Sequence, residues 1–339
     1  MLARSLPLPY NGLYPFNLLS NPVSLLWSEA QTARLSALAD STKRNIHTHL
    51  RAFLMFAMYY SLSMFPVVED VLIVFIQFLS RNFKSPSSVK NYILGLQTFS
   101  NIHGFPFPDI KLPHFKFQFK GIARQMLHTP SRACPITPTI LEKILDTLNL
   151  SDPFQASCWA VMVSGFLLFA RIGNLLPKSH SYDRSKQLSR SDVYVARDCL
   201  VFSLKWTKTI QFAQRVLQVP LYANPHSRLC PKKALLNMVK VSPNSPRDHL
   251  FSYSTSFGSA IITQYQFVDF LRQKLNQCGY SDSQFSGHSF RRGGASCAFS
   301  KGVPSELIKS HDDWRSDAYR IYLEFSMSDR LVTTRQMLN

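Results

Sequence analysis

The segment Gly287-His-Ser-Phe-Arg-Arg-Gly-Gly-Ala-Ser places an imidazole, two guanidinium groups and two adjacent glycines close together in the chain. His288 and Arg291 are three residues apart, so on a helical turn both side chains project from one face. An imidazole beside a guanidinium can bind one phosphate and hold or move a proton. The small residues Gly293, Gly294 and Ala295 would let another backbone approach closely. The segment therefore predicts a helical turn with a close neighbour and a candidate phosphate site.

The chain of 339 residues is strongly basic, with 38 Lys and Arg against 20 Asp and Glu and a net charge of +18. This charge favours a polyanionic partner, with nucleic acid ahead of an anionic membrane surface. The two most apolar stretches, 52–68 and 153–170, contain polar residues and are interpreted as buried helices rather than membrane spans. The six cysteines contain no CxxC pair, which indicates reduced thiols and no zinc site. We expect a soluble intracellular protein.

Apolar residues at helical spacing organise the front of the chain. Residues 1–30 show no clear periodicity and predict an N-terminal arm. Residues 31–110 predict a small helical domain, with an apolar stripe at Ile46, Leu50, Phe53, Phe56, Val71, Val74, Phe75, Phe78, Val89, Ile93, Leu96 and Phe99. Residues 111–132 contain no acidic residue and predict a basic linker, which either follows a phosphate backbone or docks its phenylalanines on a neighbour.

Residues 133–339 predict a second, mixed α+β domain. A helix opens at Thr137, and a buried helix covers Cys158–Phe169. Alternating β-branched and apolar residues over 193–221 predict three short antiparallel strands, with loops near 197–198 and 208–214. Helical spacing returns at Phe267 and continues to the C-terminus. The predicted fold is mostly α with a small antiparallel β-sheet, in two domains.

Further residues of the second domain could carry chemistry. Arg171 directly follows the buried helix, where an arginine is costly unless it pairs with a phosphate or a carboxylate. Lys205 and Lys208 lie where a strand turns back and could each reach into a groove, although such lysines are ordinary on surfaces. Ser316 can cap a helix that carries Tyr319 and Tyr322 on one side.

Taken in chain order, these pieces form one constellation: an arginine after a buried helix, a hairpin lysine, the His288–Arg291 pair, Trp314 and Tyr322. This order resembles the catalytic domain of tyrosine recombinases, the phage-integrase family. The resemblance covers about 130–330, and the preceding helical domain is similar to the family's core-binding domain. Phe169-Ala-Arg followed by Asn-Leu-Leu-Pro, together with Trp314-Arg-Ser-Asp-Ala-Tyr, is most similar to enzymes of eukaryotic DIRS-like or Crypton-like mobile elements.

The resemblance implies a site-specific recombinase that cleaves and rejoins DNA through a 3′-phosphotyrosine. It implies that Tyr322 attacks the scissile phosphate, in preference to Tyr319, and that His288 holds a phosphate oxygen or assists deprotonation of the phenol. Arg171 and Arg291 would clamp the non-bridging oxygens, and Trp314 would donate its indole N–H. Lys208 would be the general acid for the 5′ oxygen, with Lys205 as its substitute. No metal ion and no other cofactor is implied.

The resemblance also implies double-stranded DNA as the partner, a homotetramer assembled on that DNA, and a nuclear location. We expect further DNA contacts from the basic residues Lys43, Arg44, Lys90, Lys116, Lys120, Arg124, Lys205 and Arg292. Asp312 stands before Trp314, where the family pattern has glycine. Two alternatives stay open: a DNA-binding descendant that no longer cleaves, and a type IB topoisomerase-like enzyme that nicks and reseals.

Overall fold

The computed structural model describes residues 22–129, 132–207, 210, 215–311, 313, 314, 316–323, 331, 335, 337 and 338. The chain divides into two compact units, Met1–Ser131 and Arg132–Asn339. Helices dominate both units, and the larger sheet is small and antiparallel. The predicted fold class is therefore confirmed.

All regular secondary-structure elements in the described part of the first unit are helices. Its elements are α1 (Pro22–Ser36), α2 (Asp40–Tyr59), α3 (Glu69–Asn82), α4 (Pro86–His103) and α5 (Pro113–Gln125). Helices α2, α3 and α4 bury most of the predicted apolar stripe, including Phe53, Phe75 and Ile93, because these positions recur at helical spacing. Val74, which the prediction placed in the stripe, is exposed instead.

Two segments of the first unit differ from the sequence prediction. Part of the predicted arm belongs to α1, while residues 1–21 lie outside the described residues. Most of the predicted linker forms α5, whose Phe115 and Ile122 are buried in the core of the first unit. Phe119 packs against the same core, and this i, i+4, i+7 spacing is that of one helical face.

The second unit surrounds a helix that is buried on all sides. Its helices are α6 (Pro138–Leu145), α7 (Pro153–Leu167), α8 (Ile172–Leu175), α9 (Pro231–Val241), α10 (Gln264–Gln277), α11 (Ser289–Ser300) and α12 (Ser305–His311). Every residue of α7 from Ala156 to Phe166 is buried. Asp152 is the N-cap residue of α7, and its side chain accepts a hydrogen bond of 2.7 Å from the Gln155 N–H. Across the described residues, no helix has the length and apolar character required to cross a bilayer.

The three predicted strands of the second unit form one antiparallel sheet in the order β1-β2-β3. They are β1 (Val193–Val195), β2 (Cys199–Leu204) and β3 (Leu217–Tyr222). Residues of β2 are alternately buried and half-buried, as the alternating sequence predicts. A second hairpin, β4 (Ser252–Thr255) and β5 (Gly258–Ile261), was not predicted. It was missed because half of its eight strand residues are Ser or Thr and the strands lack a clear apolar alternation.

Helix α11 lies against two other backbones at its adjacent glycines. A Cβ on Gly293 would overlap the carbonyl oxygen of Ile136, and a Cβ on Gly294 would overlap the carbonyl oxygen of Phe166. The expectation that these glycines allow a close backbone approach is confirmed. Since Phe166 belongs to α7, the contact sets α11 directly against the buried helix that precedes Arg171.

Candidate active site

Arg291 lies at the centre of the candidate site, on the first turn of α11. Its side chain is 2% exposed, and its Nη1 donates a hydrogen bond of 3.1 Å to the carbonyl oxygen of Phe169. Its Cζ lies 4.2 Å from the centroid of the Trp314 ring and 5.0 Å from that of the Tyr322 ring. These are cation–π distances, so the guanidinium is held against both aromatic side chains. Arg291, Trp314 and Tyr322 are therefore brought together.

Tyr322 ends a short 3-10 helix, Asp317–Tyr322, where the sequence predicted an α-helix. Tyr319 is 2% exposed and its ring centroid is 5.9 Å from that of Trp314, which fits a packing role. Tyr322 is only half-buried, and its ring is 6.0 Å from Trp314. Its carbonyl oxygen accepts a hydrogen bond of 2.9 Å from the Ser296 hydroxyl. Ser296 therefore ties the Tyr322 backbone to α11, a role the sequence analysis did not identify.

His288 and Arg171 belong to the same electrostatic environment. His288 immediately precedes α11, and Arg171 is the N-cap residue of α8. Burial lowers the pKa of His288, and the positive charges of Arg171 and Arg291 lower it further. His288 is therefore neutral at neutral pH, and a neutral imidazole can accept a hydrogen bond or a proton. The positive charges of both arginines therefore act on the region around this ring, which favours an anion there.

Trp314 contributes a buried donor as well as a ring. Its indole Nε1 is buried and has no acceptor among the residues that the structure describes. A buried N–H without an acceptor costs about 1–3 kcal/mol. A phosphate oxygen placed beside Arg291 would be a suitable acceptor for this N–H.

Of the two candidate lysines of the hairpin, the structure describes only Lys205. Lys208 lies outside the described residues. Lys205 forms an ion pair with Asp192, whose carboxylate also accepts hydrogen bonds from the N–H (2.9 Å) and the hydroxyl (2.7 Å) of Ser189. Burial would raise the pKa of Asp192, but the hydrogen bonds from Lys205 and Ser189 outweigh it and lower this pKa. The ammonium group of Lys205 is thus engaged by a charged carboxylate.

A second ion pair joins the described end of the β2–β3 connection to the turn before Trp314. Arg215 pairs with Asp313, which has a left-handed backbone with φ of 52°. The Trp314 N–H donates to the Lys309 carbonyl at 3.0 Å, which anchors the residue after this turn to α12. Asp312, whose carboxylate the sequence analysis singled out, lies outside the described residues.

The residues expected to contact DNA are exposed in the first unit but not all in the second. Exposed side chains belong to Lys43, Arg44, Lys90, Lys116, Lys120 and Arg124. Arg292 is buried, and its guanidinium donates to the carbonyl oxygen of Ala133. This side of α11 faces the segment around Ala133, so the DNA contact of Arg292 stays a prediction that the exposed surface does not support.

No protein-family model and no curated protein sequence matches this chain. Solved structures do match it, at low sequence identity. A XerH site-specific recombinase bound to palindromic difH substrate is 17% identical, covers 80% of this chain and 70% of its own, and has a TM-score of 0.54. A lambda integrase dimer bound to a COC′ core site is 13% identical, covers 91% of this chain and 95% of its own, and has a TM-score of 0.53.

The Tn1549 transposon integrase in complex with circular intermediate DNA gives a similar result. It is 12% identical, with 90% of this chain and 98% of that chain covered and a TM-score of 0.52. Both the helical first unit and the mixed second unit fall within such coverage. The chain therefore has the fold of these site-specific recombinases and integrases.

Proposed function

We propose that this chain is a tyrosine recombinase, which cleaves and rejoins double-stranded DNA through a covalent 3′-phosphotyrosine. The observation that carries the proposal is the position of Arg291, which stacks on Trp314 and Tyr322 while its charge reaches His288. A phosphate bound to Arg291 would lie beside the phenol that is to attack it. The matched fold of DNA-bound recombinases supports the same proposal.

The proposed reaction exchanges one phosphodiester for another. The Tyr322 phenol oxygen attacks phosphorus, a new oxygen–phosphorus bond forms, and the bond to the 5′ oxygen of the DNA breaks. The neutral ring of His288 accepts the phenol proton or orients a phosphate oxygen, and Lys208 gives a proton to the departing 5′ oxygen. Attack by a 5′-hydroxyl on the phosphotyrosine reverses these steps. The covalent intermediate keeps the bond energy, so neither ATP nor a metal ion is needed.

Two cations stabilise the charge that develops on the non-bridging oxygens. Arg171 and Arg291 are assigned this role, and Trp314 offers its indole N–H to the same phosphate. Lys208 is preferred over Lys205 as the general acid, because the ammonium group of Lys205 is already engaged by Asp192.

Assembly and cellular context complete the proposal. A lambda integrase tetramer bound to a Holliday junction shares this fold at 11% identity and a TM-score of 0.50. We assign this chain a tetrameric assembly on DNA, with exposed basic residues of the first unit contacting phosphates. A role in a DIRS-like or Crypton-like mobile element, and with it a nuclear location, rests on the sequence resemblance.

A covalent-capture experiment tests the reaction without knowledge of the target site. The probe is a pool of duplexes with a random central sequence and a 5′-bridging phosphorothiolate, whose thiolate leaving group prevents religation. The wild-type chain should form an adduct that survives denaturation, and sequencing of the captured DNA should return the preferred site. Tyr322→Phe should abolish the adduct, whereas Tyr319→Phe, in which the buried ring is kept, should retain it.

The alternatives give different results in the same series. Retained DNA binding without any adduct would contradict the enzyme proposal and favour a binding protein that no longer cleaves. Once the captured site is known, exchange between two labelled duplexes is expected of a recombinase. Adduct formation with plasmid relaxation but no strand exchange would instead indicate topoisomerase-like nicking and resealing.

A further inference from the structure

Phe169 has an unusual backbone conformation at the end of α7. Its N–H donates to the Phe166 carbonyl (3.3 Å) and the Ala170 N–H donates to the Gly165 carbonyl (3.0 Å). This pair of bonds is the Schellman motif, in which the residue after the helix cap is left-handed and is usually glycine. Here that residue is Phe169, with φ of 51°. A side chain with a Cβ adopts this conformation only at a cost, so the surroundings must hold it.

The turn at Phe169 serves both arginines of the candidate site. The Phe169 carbonyl accepts the hydrogen bond from Arg291, and the chain continues through Ala170 to Arg171 at the start of α8. A change of the Phe169 backbone would therefore remove a hydrogen-bond acceptor of Arg291 and redirect the backbone that carries Arg171.

Three neighbours hold the Phe169 ring. Its centroid lies 4.6 Å from that of His311 and 6.3 Å from that of Trp314, and the Trp314 plane is inclined by only 27°. On the other side the ring fits against Gly294, where an added Cβ would be 2.5 Å from its Cδ1. The His311 ring is itself fixed by a hydrogen bond of 2.8 Å between its Nε2 and the Leu167 carbonyl. The ring is thus enclosed by α11, α12 and the residue that stacks on Arg291.

We propose that Phe169 is a positioning residue of this site. Its packed ring keeps the turn after α7 left-handed, so that its carbonyl fixes Arg291 and the following backbone directs Arg171. The consequence for catalysis rests on the proposed function, whereas the consequence for the geometry of Arg291 does not.

Two substitutions separate the backbone role from the loss of the ring. Phe169→Ala removes the ring that packs against the neighbours, but the residue keeps a Cβ, which disfavours the left-handed conformation. The turn should therefore relax and release Arg291. Phe169→Gly removes more side chain, but glycine adopts the left-handed conformation readily, so the turn should persist. Adduct formation in a single turnover should be about tenfold faster for Phe169→Gly than for Phe169→Ala, a ratio equivalent to ~1.4 kcal/mol. Equal or faster cleavage by the alanine variant would overturn the proposal.

A measurement on the DNA-free protein tests the geometry independently of catalysis. Partial burial and the charges of Arg171 and Arg291 lower the pKa of His288, and an NMR titration would follow this pKa in each variant. It should rise in Phe169→Ala and stay at the wild-type value in Phe169→Gly. Phe251→Ala, which removes a fully buried ring from the main core, should leave this pKa unchanged.

The two measurements fail in distinguishable ways. If the wild-type chain forms no adduct, the proposed function fails, and the titration still decides whether Phe169 positions Arg291. An unchanged His288 pKa in Phe169→Ala would refute the positioning role even if cleavage is slower. If the alanine variant does not fold, a raised His288 pKa in Phe169→Gly would refute it instead.

Discussion

Replacing Gly293 by alanine tests whether α11 must lie against the backbone that enters the second unit. The new Cβ would overlap the carbonyl oxygen of Ile136 and lie 2.7 Å from its carbonyl carbon and 3.0 Å from its nitrogen. All three atoms belong to the backbone, so no side-chain rotation can relieve the overlap. The backbone at Ile136 is also hydrogen-bonded to α11, since the Ile136 N–H donates to the Ser289 carbonyl at 3.0 Å.

The free-energy change follows from three contributions. Overpacking of a closely packed site costs about 1–3 kcal/mol. Loss of the Ile136–Ser289 hydrogen bond adds about 1 kcal/mol. Alanine favours the helical conformation more than glycine does, which offsets about 1 kcal/mol of this destabilisation. The free energy of unfolding should therefore fall by about 1–3 kcal/mol, which in a unit of this size lowers Tm by about 2–12 °C.

Thermal unfolding followed by calorimetry and circular dichroism measures this change. Gly121→Ala is the matched control, since Gly121 is also in a helix but a Cβ there would have no neighbour within 4 Å. This control should leave Tm unchanged or raise it. If Gly293→Ala has the same Tm as the wild type, α11 does not lie as close to Ile136 as described.

Three further predictions concern charged groups. The lowered pKa of Asp192 means that its ion pair stabilises the fold at neutral pH and loses this effect as pH falls through the folded pKa. Urea unfolding should therefore show Asp192→Asn less stable than wild type at pH 7, with the difference shrinking below about pH 4. A double-mutant cycle on the partly exposed Arg215–Asp313 pair should give a coupling of about 0.2–1 kcal/mol, and zero coupling would contradict the pair. The third prediction concerns three exposed basic residues on one face of α5: Lys116, Lys120 and Arg124. Replacing all three by glutamine should reduce the slope of log affinity for DNA against log salt concentration by up to about 3. An unchanged slope would exclude phosphate contacts by these residues.

Local patterns in the sequence predicted the parts of the fold that depend on periodicity or on a glycine. The alternation in β2 and the stripes of α2 to α4 are visible in the chain because burial follows the repeat of the element. Gly293 and Gly294 were identified because only a residue without a Cβ permits the observed approach to Ile136 and Phe166. These predictions needed no knowledge of distant neighbours.

Elements stabilised by distant neighbours were not predictable in the same way. Phe115, Phe117 and Phe119 alternate with lysines and glutamine, which obscures the helical face formed by Phe115, Phe119 and Ile122. The hairpin β4–β5 is largely polar, so its pairing leaves little trace in hydrophobicity. In both cases tertiary contacts outweigh the local signal.

The candidate site shows the same limit at neighbouring residues. Arg291 and Arg292 are equivalent in the sequence, yet one stacks on aromatic rings while the other donates to the Ala133 carbonyl. A helix turns by about 100° per residue, so adjacent side chains point to different neighbours. Which arginine belongs to the site depends on what lies against each face of α11, and that information is not local.

Phe169 illustrates why the centre of the site was only partly predictable. A left-handed turn after a helix predicts glycine, so a phenylalanine at this position gives no signal that the turn exists. Among the described residues, Arg291 contacts the Phe169 carbonyl and the rings of Trp314 and Tyr322, and none of these contacts is marked by a charge pattern in the sequence. The turn that supplies the carbonyl for Arg291 is therefore set by tertiary packing around the Phe169 ring, which the local sequence does not encode.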